Sequence, residues 1–477
     1  MGRKADKNIK VSCVGMSGKE VTGSAYLVEC PTGEKILLDC GLYQNSNRYE
    51  SYKINQKKLK YKPSELTFIA ISHLNADHLL LTPSLYRQGA TCNTYMYYKN
   101  IDFAKPMFDD CLKIMEREQH SFKNKEYHPI YDAEDVSYCL DKMRGINIDE
   151  IIEITPNVSL QFVSAGHIYG SCQIVLYIKK PSGNIVKLAY SGDLGNIVFE
   201  QPFVEDFTKV VKANFYIGEC TYSRKERSAK KEQRAKDLEK MENVIRETCI
   251  DKKGTVLVPC FALQRMETMI YTIWKMFKDD ASFDIPIIID SPLAVKVLDC
   301  FDESLDGEDK ELFNKMMSWK NIQVIRTIEE SQACVKDDKP KCVLSSSGML
   351  TQGRSILYLK KILPKSNCSI ITCGYMAEGT IGDKIKNYPE RKTITIDKVA
   401  YKNRCNIYSL RTFSSHMQYE ELMNYYLNLA NNGCDTIWLV HGDANKIEFK
   451  KELEDRIAKI NRTTRVVATN LETVGRI

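Results

Sequence analysis

The sequence predicts an α/β protein built from more than one domain. Three observations carry that expectation. Its 477 residues exceed what one small core uses, and are enough for two or three domains. Short β-rich runs crowd the first two hundred residues or so, whereas from about Ala213 strand-like and helix-like stretches alternate, the pattern of βαβ units on a parallel sheet. A hydrophobic content of 43% beside 27% charged residues is that of an ordinary water-exposed globular chain.

In chain order, Ile9 to Val14, Ser24 to Cys30 and Glu34 to Asp39 read as strands, separated by Gly15, Gly18, Gly23, the Pro31-Thr32-Gly33 turn and Gly41. The short gaps predict antiparallel hairpins or a meander. Thr67 to Ile71 is a short apolar run bounded by polar residues, hence a buried strand. From Ile101 to about Arg144 the apolar residues Phe103, Met107, Cys111, Ile114 and Met115 fall at helical spacing, with Pro106 and Pro129 the main breakers. Strands return at Val158 to Val163, Cys172 to Ile178 and Ile185 to Tyr190. Then come Asn214 to Gly218, a charged helix, Thr255 to Pro259, another helix, Pro286 to Asp290, Cys342 to Ser345 and Cys368 to Cys373. Asp435 to Val440 is a β-run and Lys446 to Ile460 a helix. Composition shifts near residues 205–213 and 385–395 mark the candidate domain boundaries.

Seventeen cysteines are scattered without a CxxC pair or a regular framework, which points to free thiols in a reducing compartment. Met1 to Lys7 leads into a strand-like segment rather than an apolar leader core, so a cytoplasmic location is expected. No apolar run approaches membrane-spanning length. The net charge of +6 permits a polyanionic partner without requiring one. Arg224 to Lys240 holds eight basic and four acidic residues, which reads first as a solvated helix face.

The chemistry collects where strands end. Ser72-His73-Leu74-Asn75-Ala76-Asp77-His78 follows a buried strand on a tight loop, and imidazole with carboxylate is an ordinary donor set for a catalytic divalent metal. Only seven histidines occur, and five of them (His73, His78, His167, His416, His441) sit after a strand or beside Gly and Ser. Asp193, in Ser191-Gly192-Asp193, and Glu219, in Gly218-Glu219-Cys220-Thr221-Tyr222, share that placement. Taken singly, each reads more readily as a satisfied loop residue. His120 and His128 match no such context and read as surface or core residues.

In this order the motifs resemble the metallo-β-lactamase fold hydrolases of the β-CASP branch. That branch comprises RNA- and DNA-processing nucleases, including the cleavage-and-polyadenylation endonuclease, the Integrator nuclease and bacterial ribonuclease J. The family opening appears as Gly15 to Ser24 with Leu37-Leu38-Asp39-Cys40-Gly41 behind it, and its H-x-H-x-D-H as His73-x-Asn75-x-Asp77-His78. The third and fourth metal motifs match at His167 and Asp193. The β-CASP motifs A, B and C match at Glu219-Cys220-Thr221-Tyr222, Ser414-Ser415-His416 and Val440-His441-Gly442-Asp443. Between them stand Pro259 to Arg265, Asp290 to Ala294, Ser346-Ser347-Gly348-Met349 with Gly353-Arg354, and Gly374 to Thr380.

The resemblance implies an αββα metallo-β-lactamase sandwich carrying an inserted β-CASP α/β domain, divided as 1–208, 209–390 and 391–477. It implies two divalent metal ions, Zn the first choice, with Mn or Mg the alternative at the Asn75 site. One ion would use His73, Asn75 and His167, the other Asp77, His78 and His441, with Asp193 between them. Asp77, His416 and Glu219 would form the catalytic set, His416 as general acid oriented by Glu219. Ser346, Ser347, Gly348 and Arg354 would meet backbone phosphates, a salt bridge being the competing role for Arg354. Single-stranded RNA is the expected substrate, with DNA the alternative, and a homodimer or protein partner is compatible.

The chain departs from the family pattern at Asn75, where the family has a second histidine. An amide oxygen is a harder and weaker donor than imidazole, so a lopsided metal pair is expected. Arg227 stands where many relatives carry a histidine, and Met417-Gln418 where motif B usually continues with an aspartate. The competing function is a weakened or inactive family member acting as an RNA-binding or scaffold subunit. An esterase or thioesterase on the same metal fold is a third reading, disfavoured by the β-CASP motifs.

Overall fold

A computed structural model describes residues 8–122, 126–196, 200–204, 210–225, 231–374, 376, 379–460 and 462–477. Of the sequence expectations, Met1 to Lys7, the first domain boundary at 208/209, Arg227 and the middle of the Arg224–Lys240 run, and part of Gly374–Thr380 lie outside these residues. The chain divides into two compact units, one within Met1–Ile197, Val204–Ser228 and Ser415–Ile477, the other within Val198–Phe203 and Ala229–Ser414.

The first unit begins with strands β1 (Lys10–Cys13), β2 (Tyr26–Glu29), β3 (Lys35–Leu38), β4 (Phe68–Ala70), β5 (Thr94–Tyr97) and β6 (Met143–Ile146). Helices α1 (Arg48–Asn55), α2 (Ala76–Leu79), α3 (Thr82–Arg87), α4 (Ile101–Ser121) and α5 (Ala133–Asp141) are threaded among them. The expected meander holds for β1 to β3, which pair antiparallel, whereas β3 to β6 pair in parallel. The single helical stretch expected to about Arg144 is corrected: α4 ends at Ser121, α5 is separate, and Met143–Ile146 is a strand. Tertiary packing decides this, because a Cβ at Gly145 would lie 2.7 Å from that of Tyr98, so only glycine lets β6 come that close.

A second sheet follows with β7 (Ile151–Thr155), β8 (Val158–Ser164), β9 (Cys172–Lys179), β10 (Ile185–Tyr190) and β11 (Phe215–Glu219). β8 shows the alternation that one buried face imposes, with Val158, Leu160, Phe162 and Ser164 buried and the residues between them half-buried.

The chain then forms the second unit: α6 (Lys231–Ile245), β12 (Thr255–Pro259), α7 (Arg265–Phe277), β13 (Ile287–Asp290), α8 (Pro292–Ser304), α9 (Gly307–Met317) and β14 (Ile322–Val324). It continues through α10 (Ile328–Lys336), β15 (Lys341–Ser345), α11 (Arg354–Ile362), β16 (Ser369–Cys373), α12 (Ile381–Asn387), the hairpin β17 (Thr393–Ile396) and β18 (Val399–Lys402), and β19 (Asn406–Leu410). The sheet order is β14-β13-β15-β12-β16-β19, and every pair is parallel. β12, β13, β15 and β16 are buried throughout, which is why they read as continuous rather than alternating apolar runs.

The first unit is completed by α13 (Tyr419–Asn431), β20 (Thr436–Val440), α14 (Lys446–Lys459), β21 (Arg465–Ala468) and β22 (Val474–Arg476). β22 extends the first sheet beside β1, and β20 and β21 extend the second beside β11. Val11, Tyr26, Ile36, Leu38 and Phe68 of one sheet pack with Leu160, Phe162, Ile174, Leu188, Ile217 and Trp438 of the other. Helices α13 and α14 cover the second sheet's outer face through Tyr426, Leu429, Phe449 and Leu453. This is the expected αββα sandwich, interrupted in sequence by an α/β domain. None of the seventeen cysteines forms a disulfide, and no described helix is long and apolar enough to cross a membrane.

Candidate metal and active site

Apart from His416, every candidate donor of the first unit emerges from the end of a sheet strand. β4 delivers Ser72 to His78, β8 delivers His167, β10 delivers Asp193, β11 ends on Glu219, and β20 ends just before His441. The Ser72–His78 stretch is not wholly a loop: it closes into the one-turn helix α2, with Asn75 at its N-terminal boundary making no side-chain cap. The turn seats tightly because Gly41 has no side chain; a Cβ there would stand 1.6 Å from the Asp77 carbonyl oxygen.

These strand ends converge on Asp193. Its Oδ2 lies 3.5 Å from His73 Nε2 and 3.6 Å from His167 Nε2, while Oδ1 lies 3.3 Å from His78 Nε2 and 3.5 Å from His441 Nδ1. His441 Nε2 also faces Asp77 Oδ2 at 3.2 Å. Three sets of donors have their candidate ligand atoms within 4.8 Å of one another: His73–His167–Asp193, Asp77–His78–His441, and Asp193–Glu219–His416, which shares Asp193 with the first. Asn75 stands beside the first group, Nδ2 being 3.4 Å from His167 Nε2. Buried His73 Nε2 and Asp193 Oδ1 have no hydrogen-bond partner among the described residues. Buried imidazoles and carboxylates that converge with ring nitrogens and carboxylate oxygens left unpartnered fit divalent cations better than a protein-only network. The donor set therefore fits the metal ions the superfamily implies.

Neighbouring groups aim the rings. His78 Nδ1 donates to Asp39 Oδ2 at 2.7 Å, which leaves Nε2 toward Asp193. Thr221 Oγ1 lies 3.0 Å from His441 Nδ1. His416 Nδ1 lies 3.1 Å from Glu219 Oε1, and its Nε2 lies 4.0 Å from Asp193 Oδ2. Glu219 is itself held by the amides of Leu194 at 2.8 Å and Thr221 at 3.1 Å. The His416 loop is pinned to the Asp193 loop by backbone bonds from Asn196 to Ser415 at 2.9 Å and from Met417 to Leu194 at 2.8 Å.

Burial and charge pull these rings in opposite directions. Burial, with the charge of His416 second, drives His167 well below the usual imidazole range, and burial with His78 lowers His73. For His78 burial opposes the charged form, but Asp193 and Asp77 outweigh it and the group is raised well above its ordinary value. His416 likewise overcomes burial through Glu219 and Asp193 and is raised to about 8. Asp193 is held well below the carboxylate range by His441, His78 and His416 despite its burial, and Asp77 is lowered by His78 and His441.

The remaining candidates belong to the second unit. Ser346, Ser347 and Gly348 form the turn after β15, with Ser347 Oγ accepting from Thr351 N at 3.0 Å. Arg354 forms an ion pair with buried Asp290 and donates to the Thr327 carbonyl at 3.3 Å, so its guanidinium has protein partners. His120 lies in the last turn of α4, and His128 Nδ1 is 3.1 Å from Gln119 Nε2, both apart from the cluster. Asp39, Tyr190 and Thr221 carry orienting contacts that sequence reasoning did not assign, although Asp39 and Thr221 lie within the quoted motifs.

Three family models match along the chain: the metallo-beta-lactamase superfamily over residues 18–107, the Beta-Casp domain over 266–385, and the Zn-dependent metallo-hydrolase RNA specificity domain over 401–463. A ribonuclease of Thermus thermophilus is 28% identical over 437 residues, covering 90% of this chain and 93% of its own length. The transcription termination factor FttA of Methanocaldococcus jannaschii is 26% identical, covering 99% of this chain and 72% of its own. A crystal structure of a protein of unknown function from Enterococcus faecalis aligns with a TM-score of 0.54 at 11% identity, covering 98% of this chain and 100% of that one, a likeness of fold.

Proposed function

This chain belongs to the β-CASP branch of the metallo-β-lactamase superfamily of metal-dependent hydrolases, and we propose that it is a ribonuclease cutting phosphodiester bonds of single-stranded RNA. The observation that carries the reading is the His416–Glu219 pair set against Asp193, an oriented imidazole beside a metal-type donor cluster. RNA is supported by the match to an RNA specificity domain at 401–463 and by the similar ribonuclease, which is spanned almost end to end.

In this reading His73, Asn75 and His167 would hold one divalent ion and Asp77, His78 and His441 the other, with Asp193 shared and Zn the first choice. When bound, such a pair polarises a phosphoryl oxygen and acidifies a water near neutral pH. The protein's own groups do the rest. His416 donates the proton on Nε2 to the leaving oxygen, while Glu219 Oε1 accepts from Nδ1 and fixes the ring. Asp39 keeps His78 facing inward, and Thr221 does the same for His441. Ser346, Ser347 and Gly348 are the proposed phosphate contacts, with Arg354 a weaker one because Asp290 already shares its guanidinium. The division at 208 and 390 is likewise proposed as a first cut, although β19 at 406–410 pairs within the second unit's sheet and argues for a later second boundary.

Asn75 favours a second reading, a weakened member that holds RNA without turning it over. RNA labelled at both ends, single-stranded DNA and a chromogenic ester, each incubated with Zn or Mn, separate the cases. Shortened RNA, with His416→Ala slower by about 10²–10⁴-fold, is the expected result. RNA bound but left whole by the native chain would replace the first reading by the second.

A further inference from the structure

We propose that Phe261, in the second unit, is a stacking platform for an unpaired base of the substrate strand; the inference rests on the single-stranded RNA reading above. Phe261 follows β12, whose five residues are all buried. Cys260 is fully buried and its amide donates to the Ser345 carbonyl at 2.9 Å, and Ala262 and Leu263 are buried as well. Between these buried neighbours Phe261 is 41% exposed. A lone exposed apolar residue is ordinary on a surface. This ring differs in being mounted on a rigid strand end, against the turn that carries Ser346 and Ser347. A Cβ at Gly348 would lie 2.9 Å from Phe261 N and 3.2 Å from Phe261 Cδ2, so the glycine lets that turn approach the ring edge.

The place in the fold is also informative. β12 and β15 are adjacent and parallel, so Phe261 and the Ser346–Gly348 turn both stand at carboxyl ends of strands, where open parallel sheets gather ligands. An outward aromatic face beside hydroxyls and backbone amides matches the two components of a nucleotide, base and phosphate. A phenyl ring offers no hydrogen bond to a base edge, so the platform accepts any base. Duplex RNA presents no free base face, which makes this a contact for unpaired strands.

The test uses the metal-loaded full chain and a cleavage-resistant single-stranded phosphorothioate RNA, alongside an abasic oligomer of equal length. Phe261→Ala is expected to weaken RNA binding about 5- to 150-fold while leaving the abasic oligomer unaffected. Phe261→Trp is expected to keep affinity and to show fluorescence quenching on RNA addition. Equal affinity of Phe261→Ala and the native chain for RNA overturns the platform and leaves the ribonuclease reading standing, as does an equal loss for both oligomers. If the native chain binds neither RNA nor the abasic oligomer, the RNA reading falls and the platform falls with it.

Discussion

Asp39 accepts four hydrogen bonds, from Ser72 N, Ser72 Oγ, Tyr190 OH and His78 Nδ1, each at 2.7 Å. One buried carboxylate thereby ties the β4 loop, the β10 end and a metal-type histidine together. Asn75 has no comparable support. Its side chain neither caps α2 nor reaches a carboxylate, and an amide donor is weaker than an imidazole toward zinc. After loading with zinc and desalting, the native chain is therefore expected to retain about one ion and Asn75→His about two. Elemental analysis decides it: two ions on the native chain, or an unchanged count in Asn75→His, removes the lopsided site. The ligand candidates were legible because scarce histidines recur in one context, directly after apolar runs. Asp39 and Thr221 could be placed in motifs but not given a role, because an aspartate after a strand or a threonine in a turn has many uses. Only their partners, Tyr190 and His441 across the fold, distinguish them.

At the scale of elements, the alternating strand and helix pattern beyond Ala213 was readable since buried parallel strands are continuous apolar runs. The break at α5 and β6 was not, because it depends on how close Gly145 comes to Tyr98 rather than on local spacing. Helix α7 hides a further feature that periodicity does not show. Glu267 is fully buried, as are Met266, Met269 and Ile270 of the same helix, and neither carboxylate oxygen has a side-chain hydrogen-bond partner among the described residues. Burial raises its carboxyl to about 8. The folded chain then binds a proton that the unfolded chain has released, so stability is full below the ordinary glutamate value near pH 4.5 and falls as pH rises toward 8. The loss is of the order of a few kcal/mol. Glu267→Gln cannot ionise, so its urea midpoint, followed by Trp274 and Trp319 fluorescence, is expected to stay flat over that interval. A native midpoint that does not fall between pH 5 and 8.5, or a variant that falls in parallel, refutes the assignment.

For the whole molecule, the donors matter as much to folding as to chemistry. Asp77 and His441 face each other across 364 residues of chain, His73 shares the β4 end with Asp77, and His167 and Asp193 come from two further strand ends. An ion held there binds the folded first unit and has no preformed site in the unfolded chain, so binding adds directly to stability. At free metal one hundred times the dissociation constant the gain is about 2.7 kcal/mol. For a unit of this size that corresponds to roughly 4–5 °C in melting temperature. Trp438, buried between the two sheets of the first unit, is the natural reporter once Trp274 and Trp319 are replaced by Phe. Zinc is expected to raise its transition, a chelator to lower it, and Asp193→Ala to erase the difference, because Asp193 stands within 3.6 Å of four candidate histidines. The second unit holds none of the His73–His167–Asp193 or Asp77–His78–His441 donors, so Trp274 and Trp319 in the unsubstituted chain should report a transition that metal leaves in place. A Trp438 transition at the same temperature in zinc and in chelator would show that the cluster is held by the protein alone.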